Sequence, residues 1–172
     1  MDGTGHRIAG ALSWVLLVLG IVVGLTGAFM SVVAAAFAFI PSVRDEIVRQ
    51  AGEGMGRAEP VLTVSWGLMP MALIVVMSAL LLLTLRKVVQ AVERRNPFDS
   101  ANANRLRTIA LLLALIEIVR WGTVLILAPE QVDMTEDLDS WLGSALSVFV
   151  VIVLAEAFRE GARLRAEAEL TV

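Results

Sequence analysis

Glu117 and Arg120 stand three residues apart inside IALLLALIEIVRWGTVLILA, residues 109–128, a stretch otherwise free of charge. On a helix that spacing places both on one face, within reach of each other. A charge in hydrocarbon is expensive, so such residues face protein or water and mark ion pathways or proton relays by default. Glu156 is a second carboxylate at the edge of an apolar stretch. Two carboxylates could do acid–base work, but each has an arginine at i+3, Arg120 and Arg159. Mutual neutralisation is the cheaper explanation, and the expected role of Glu117–Arg120 is an ion pair that fixes helix packing. Measured from residue 109, helical rise puts Glu117 about 12 Å and Arg120 about 16 Å deep. Arg120 is therefore expected to point inward, toward Ser65, Ser78 or Thr84, or toward Ser144 and Ser147.

Other chemistry has little support. The chain has no cysteine and one histidine, His6. Thiolate catalysis, disulfides and Cys-ligated clusters are excluded, and one histidine cannot build a His-based metal site alone. There is no Ser/His/Asp group, no H-E-x-x-H and no glycine loop to cradle phosphate. The acidic run PEQVDMTEDLDS, 129–140, holds Asp133, Glu136, Asp137 and Asp139, but lacks the ligand spacing and central glycine of an EF-hand. It reads as a solvated acidic turn. No catalytic residue, cofactor or metal is expected, and the chain is not expected to be an enzyme.

The elements that must position these residues are apolar. Of 172 residues 58% are hydrophobic, above the roughly 45–50% of soluble domains. The excess falls in four segments, about 11–40, 61–85, 109–128 and 141–158. A bilayer core of about 30 Å needs roughly 20 helical residues. Three segments fit, and the first must tilt or continue past the membrane surface. A soluble bundle would need polar stripes, yet 8–40 and 61–85 carry no charge. The expected fold is all-α: one polytopic membrane domain over 1–172, a four-transmembrane-helix bundle with helices extending into the cytoplasm. The first segment reads as an uncleaved helix rather than a signal peptide, its apolar run being about twice an h-region of roughly 7–15 residues.

Within the segments, Gly20, Gly24 and Gly27 fall nearly on one face and predict close helix packing. Pro70 predicts an unpaired carbonyl in segment two. Trp14, Trp66, Trp121 and Trp141 read as structural, Trp141 at the outer interface. Residues 42–51 predict a short amphipathic helix with Val43, Ile47 and Val48 toward the bilayer.

Orientation follows the basic residues. The 86–108 connection holds Arg86, Lys87, Arg94, Arg95, Arg105 and Arg107, and the 159–172 tail holds Arg159, Arg163 and Arg165. Loop 129–140 holds none. Both termini and the 86–108 loop are expected in the cytoplasm, with 41–60 and 129–140 outside. Residues 84–95 continue helix two, Asn96-Pro97 ends it, and Asp99 or Ser100 caps the next helix. Arg105 and Arg107 then reach headgroup level, where anionic lipids are the expected contact. Residues 156–169 can form one amphipathic helix, pairing Glu156 with Arg159, Glu160 with Arg163 and Arg163 with Glu167. Gly161 weakens it by about 1 kcal/mol. The end Leu170-Thr171-Val172 could be captured by a groove, or fold back on 96–108.

Asn96-Pro97-Phe98, Asn102, Arg105-Leu106-Arg107, Glu156-x-Phe158-Arg159-x-Gly161, Leu164-Arg165 and Glu169-Leu170-Thr171-Val172 carry a resemblance. With these stretches the chain resembles the DUF2975-type family of small four-span bacterial inner-membrane proteins of unknown function. The resemblance implies a neighbour, because family members are often encoded beside a small Cro/CI-like helix-turn-helix regulator. It supplies no catalytic or ligand residues. The functional expectation is a regulatory or adaptor protein whose cytoplasmic face, 94–107 plus 156–172, meets such a regulator, with no direct nucleic-acid binding. The alternatives are a small channel or transporter, oligomeric because four helices leave little room for a pore, and a purely structural membrane protein.

Overall fold

A computed structural model describes residues 3–51, 60–94, 99–127 and 134–170, all but a few of them helical. Five helices follow in order: α1 Gly3–Phe39, α2 Pro41–Ala51, α3 Pro60–Glu93, α4 Ser100–Leu127 and α5 Met134–Leu170. Four of them, α1, α3, α4 and α5, are long and apolar enough to cross a membrane, over Gly10–Phe37, Gly67–Glu93, Ala101–Ile126 and Asp139–Ala168. The fold is the expected all-α, multi-pass membrane protein.

Local chemistry explains the boundaries. Pro41 opens α2, where a missing N–H costs nothing. Within α2, Arg49 pairs with Glu46 one turn back, at 2.9 Å, and the hydrogen-bonded carboxylate raises the guanidinium's pKa. α3 runs through Pro70 without ending. α5 begins at Met134, so Glu136, Asp137 and Asp139 belong to a helix and not to the expected acidic turn. Acids are favoured in the opening turns of a helix by its dipole. α5 then continues past its apolar part to Leu170, through Gly161, about 55 Å in all.

The four long helices lie side by side in the order α1, α3, α4, α5, with α2 against α1 and α3. Among the described residues, no close backbone approach joins α1 to α4 or α5, or α3 to α5. Only 17% of the apolar windows of α1 and α3 is buried inside the chain, and only 6% of that of α5. Most of the apolar surface is thus left for lipid, and α5 is the least enclosed.

Two seams differ in construction. α1 and α3 run antiparallel through glycine and alanine. A Cβ on Gly20 would sit 3.1 Å from Leu83, one on Gly24 3.7 Å from the Ala79 Cβ, and one on Gly27 3.2 Å from the backbone nitrogen of Val76. This is the close backbone approach that membrane helices use in place of a hydrophobic driving force. A second cluster joins Val88 of α3, Leu106 and Ile109 of α4 and the fully buried Ala155 of α5, with Leu85 and Phe158 packed on it.

Candidate functional site

The end of the molecule where α3 stops, α4 starts and α5 runs on is rich in basic residues. Asp99 organises it. Its Oδ1 accepts the Ala101 N–H at 3.0 Å and its carbonyl accepts the Asn102 N–H at 2.8 Å, so it caps α4 as expected, which stabilises a helix start by about 1 kcal/mol. Asn102 is fully buried. Its Oδ1 accepts from Arg105 Nη1 at 2.7 Å, and the same Nη1 leans on the Lys87 carbonyl at 3.4 Å. A buried amide therefore aims a guanidinium across the α3–α4 seam.

Between these helices lies a cleft of about 350 Å³ lined by Lys87, Gln90, Ala91, Arg94, Asp99 and Arg105. Lys87, Gln90/Ala91 and Arg94 recur at helical spacing and so share the face of α3 that meets α4. Ala91 is buried and small, and leaves the space.

On the other side of α4, Arg107 Nη2 donates to Glu156 Oε2 at 3.1 Å, and Arg159 pairs with the other oxygen of that carboxylate. Further along α5, Arg163 pairs with Glu160 at 2.8 Å and with Glu167 at 3.5 Å. The three pairings expected within the tail are all present, and Arg107 adds a link between helices. Leu164 is exposed, Gly161 half-buried, and Phe158 packs on the inter-helix cluster. Arg165 is exposed and has a partner of its own.

The intramembrane pair forms, with Arg120 Nη2 2.7 Å and Nε 3.0 Å from Glu117 Oε2. Its setting differs from expectation. Arg120 also donates to Ser140 Oγ of α5 at 3.3 Å. Ser78, Thr84 and Ser147 instead bond carbonyls of their own helices, four residues back. The pair is not enclosed, the side chains being 41% and 28% exposed. With helices in a row, α4 has neighbours on two sides only. Ser140 is next to Asp139, where the apolar window of α5 opens, so Arg120 lies toward that end and not at mid-depth. Its guanidinium stands 5.1 Å from the Trp121 ring centroid, and the Trp121 Nε1 is buried without a hydrogen-bond partner.

Sequence reasoning singled out Asn102, Arg105, Arg107 and Arg94, and the structure brings Arg94 and Arg105 to one cleft. It did not single out Lys87, Gln90 or Asp99 as companions there. Glu93 also went unnoticed: its Oε1 is buried and unpaired near Gly10 of α1. Arg95, Asn96, Pro97, Phe98, Thr171 and Val172 lie outside the described residues, as do the side chains of Ser65, Trp66, Ile47, Val48, Glu169 and Leu170. Among the described residues, no group of three or more His, Cys, Asp or Glu could hold a metal ion.

No curated protein and no solved structure matches the chain. A family model does, over residues 60–172, which takes in α3, α4 and α5 with both the cleft and the ion pairs. The chain belongs to the DUF2975 family of proteins of unknown function.

Proposed function

We propose that the chain is a non-enzymatic regulatory or adaptor protein of the bacterial inner membrane, with both termini and the basic end in the cytoplasm. The basic residues at the α3 end, the α4 start and the tail support this orientation, because such residues are retained inside. In this reading the surface formed by 94–107 and the end of α5 docks a small helix-turn-helix regulator. The observation that carries it is the tail. α5 leaves its apolar part as an unbroken helix and presents Arg159, Glu160, Arg163, Leu164 and Glu167 on an exposed surface, tied to α4 by Arg107–Glu156. A mixed-charge helix with an exposed leucine suits a protein partner better than bare lipid. Crosslinking in native membranes, followed by identification of the regulator bound to the intact chain, is the direct test. Equal recovery after deletion of 159–172 removes the tail from the reading, and no recovery at all removes the partner.

A second reading, a small oligomeric ion or solute channel, draws on one observation. Glu117–Arg120 is half-exposed on the surface of the helix row, where a second copy would complete a polar path. Ion flux in proteoliposomes that vanishes in Glu117→Gln supports that reading. Without flux, the adaptor and purely structural roles stand.

A further inference from the structure

Among the described residues, the cations of the α3–α4 cleft differ from most of the others. Arg49, Arg107, Arg120, Arg159 and Arg163 each hold a carboxylate. Among the described residues, Lys87 and Arg94 hold none, and Arg105 makes its bonds to an amide oxygen and a carbonyl through one nitrogen, Nη1. All three line one volume of about 350 Å³. Among the described residues, the only carboxylate on that lining is Asp99, and its Oδ1 already accepts the Ala101 N–H. The N-terminus of α4, whose dipole favours negative charge, adjoins it. Arg105 is held from below by the fully buried Asn102, so one wall of the cleft is fixed in place.

We propose that this cleft binds a phosphate group, with Lys87, Arg94 and Arg105 as its ligands. Two guanidinium forks and an ammonium converging on one volume suit a compact, oxygen-rich anion. A surface that merely adsorbs to anionic lipid spreads its charges along a plane and encloses nothing. The cleft stands at the margin of the apolar windows, between the last turns of α3 and the first turns of α4. The phosphate is therefore presented either by a lipid headgroup or by a soluble phosphate. The inference rests on the cleft alone and stands whether or not the tail docks a regulator.

The test uses the full chain in phosphatidylcholine nanodiscs, titrated separately with dioctanoyl phosphatidic acid and with inorganic phosphate. Saturable binding is expected. It weakens about tenfold or more in Lys87→Gln/Arg94→Gln, because a hydrogen bond to a charged group carries roughly that factor. It is kept in Lys87→Arg, and in Arg159→Gln/Arg163→Gln, which removes the same charge outside the cleft. Lys87→Gln alone, on an exposed side chain, replaces the double variant if that does not fold. Binding of the lipid alone assigns the site to a headgroup, and binding of inorganic phosphate assigns it to a soluble source. Failure of both probes to saturate, or equal weakening in the two double variants, overturns the proposal.

Discussion

The α1–α3 seam and the α4–α5 seam solve the same problem in opposite ways. Lipid tails are as apolar as leucine, so burial does not draw one membrane helix to another. α1 and α3 hold together by omitting side chains, since at Gly20, Gly24 and Gly27 the neighbouring helix fills the room a Cβ would need. α4 and α5 hold together through polar contacts toward opposite ends, Arg107–Glu156 and Arg120–Ser140, with Ala155 fully buried near the first. A seam of shape tolerates almost no sliding, because each glycine matches one opposing residue. A seam of long charged side chains can shift while keeping its bonds. The charged seam is the one that carries the protruding tail, which places the adjustable joint beside the proposed docking surface.

That contrast breaks first at Gly27. A leucine there has no direction to take, since a bare Cβ already meets Val75, Val76 and the Val76 backbone nitrogen within 3.2 Å. Gly27→Leu is expected to cost about 3 kcal/mol, the upper end for overpacking. The chain has no cysteine, so Gly24→Cys/Ala79→Cys gives a clean reporter. The 3.7 Å between those Cβ positions fits a disulfide, whose Cβ atoms stand about 3.5–4.5 Å apart. Efficient crosslinking that is lost when Gly27→Leu is added confirms a seam of shape, and undiminished crosslinking refutes it.

Glu117→Gln comes next. It strands Arg120 with Ser140 as its remaining hydrogen-bond partner. Because both charges are partly exposed, the expected loss is about 2 kcal/mol, below the roughly 3–5 kcal/mol for a fully enclosed pair. Unfolding in mixed micelles of rising SDS fraction measures it. The α1–α3 crosslink should survive, because that seam shares no contact with the pair.

What the sequence could and could not reveal divides along the same line. Properties of a single helix were legible: the spans from hydropathy, Gly20, Gly24 and Gly27 as one face, the Asp99 cap, and the i,i+3 pairs of the tail. Properties that need two helices were not. Nothing in the chain says that α3, rather than α5, faces the glycines. Arg107 meets Glu156 across 49 positions, and periodicity is silent at that range. The depth of Arg120 was legible only as a count from residue 109, whereas the apolar span of α4 opens at Ala101 and closes at Ile126, which leaves Arg120 near its far end. The cleft was half visible: its arginines stood out as charges, but the space depends on Ala91, an unremarkable small residue until α4 is laid beside it.

The smallest effects give the sharpest comparison. Glu156 is half-exposed, so Glu156→Gln is expected to cost about 0.5 kcal/mol or less. The cost should shrink further in high salt, since exposed pairs are screened. Gly24→Ala reverses the sign. Its new Cβ meets the Ala79 Cβ at 3.7 Å, an ordinary contact, whereas Gly27→Ala runs into backbone at 3.2 Å. Alanine is favoured over glycine in a helix by up to about 1 kcal/mol, so Gly24→Ala should be neutral or slightly stabilising and Gly27→Ala destabilising. Two identical substitutions three residues apart on α1 are then separated only by what stands opposite them on α3. If SDS unfolding gives both the same sign, helix propensity and not seam shape governs α1, and the distinction between the two seams fails at its most specific point.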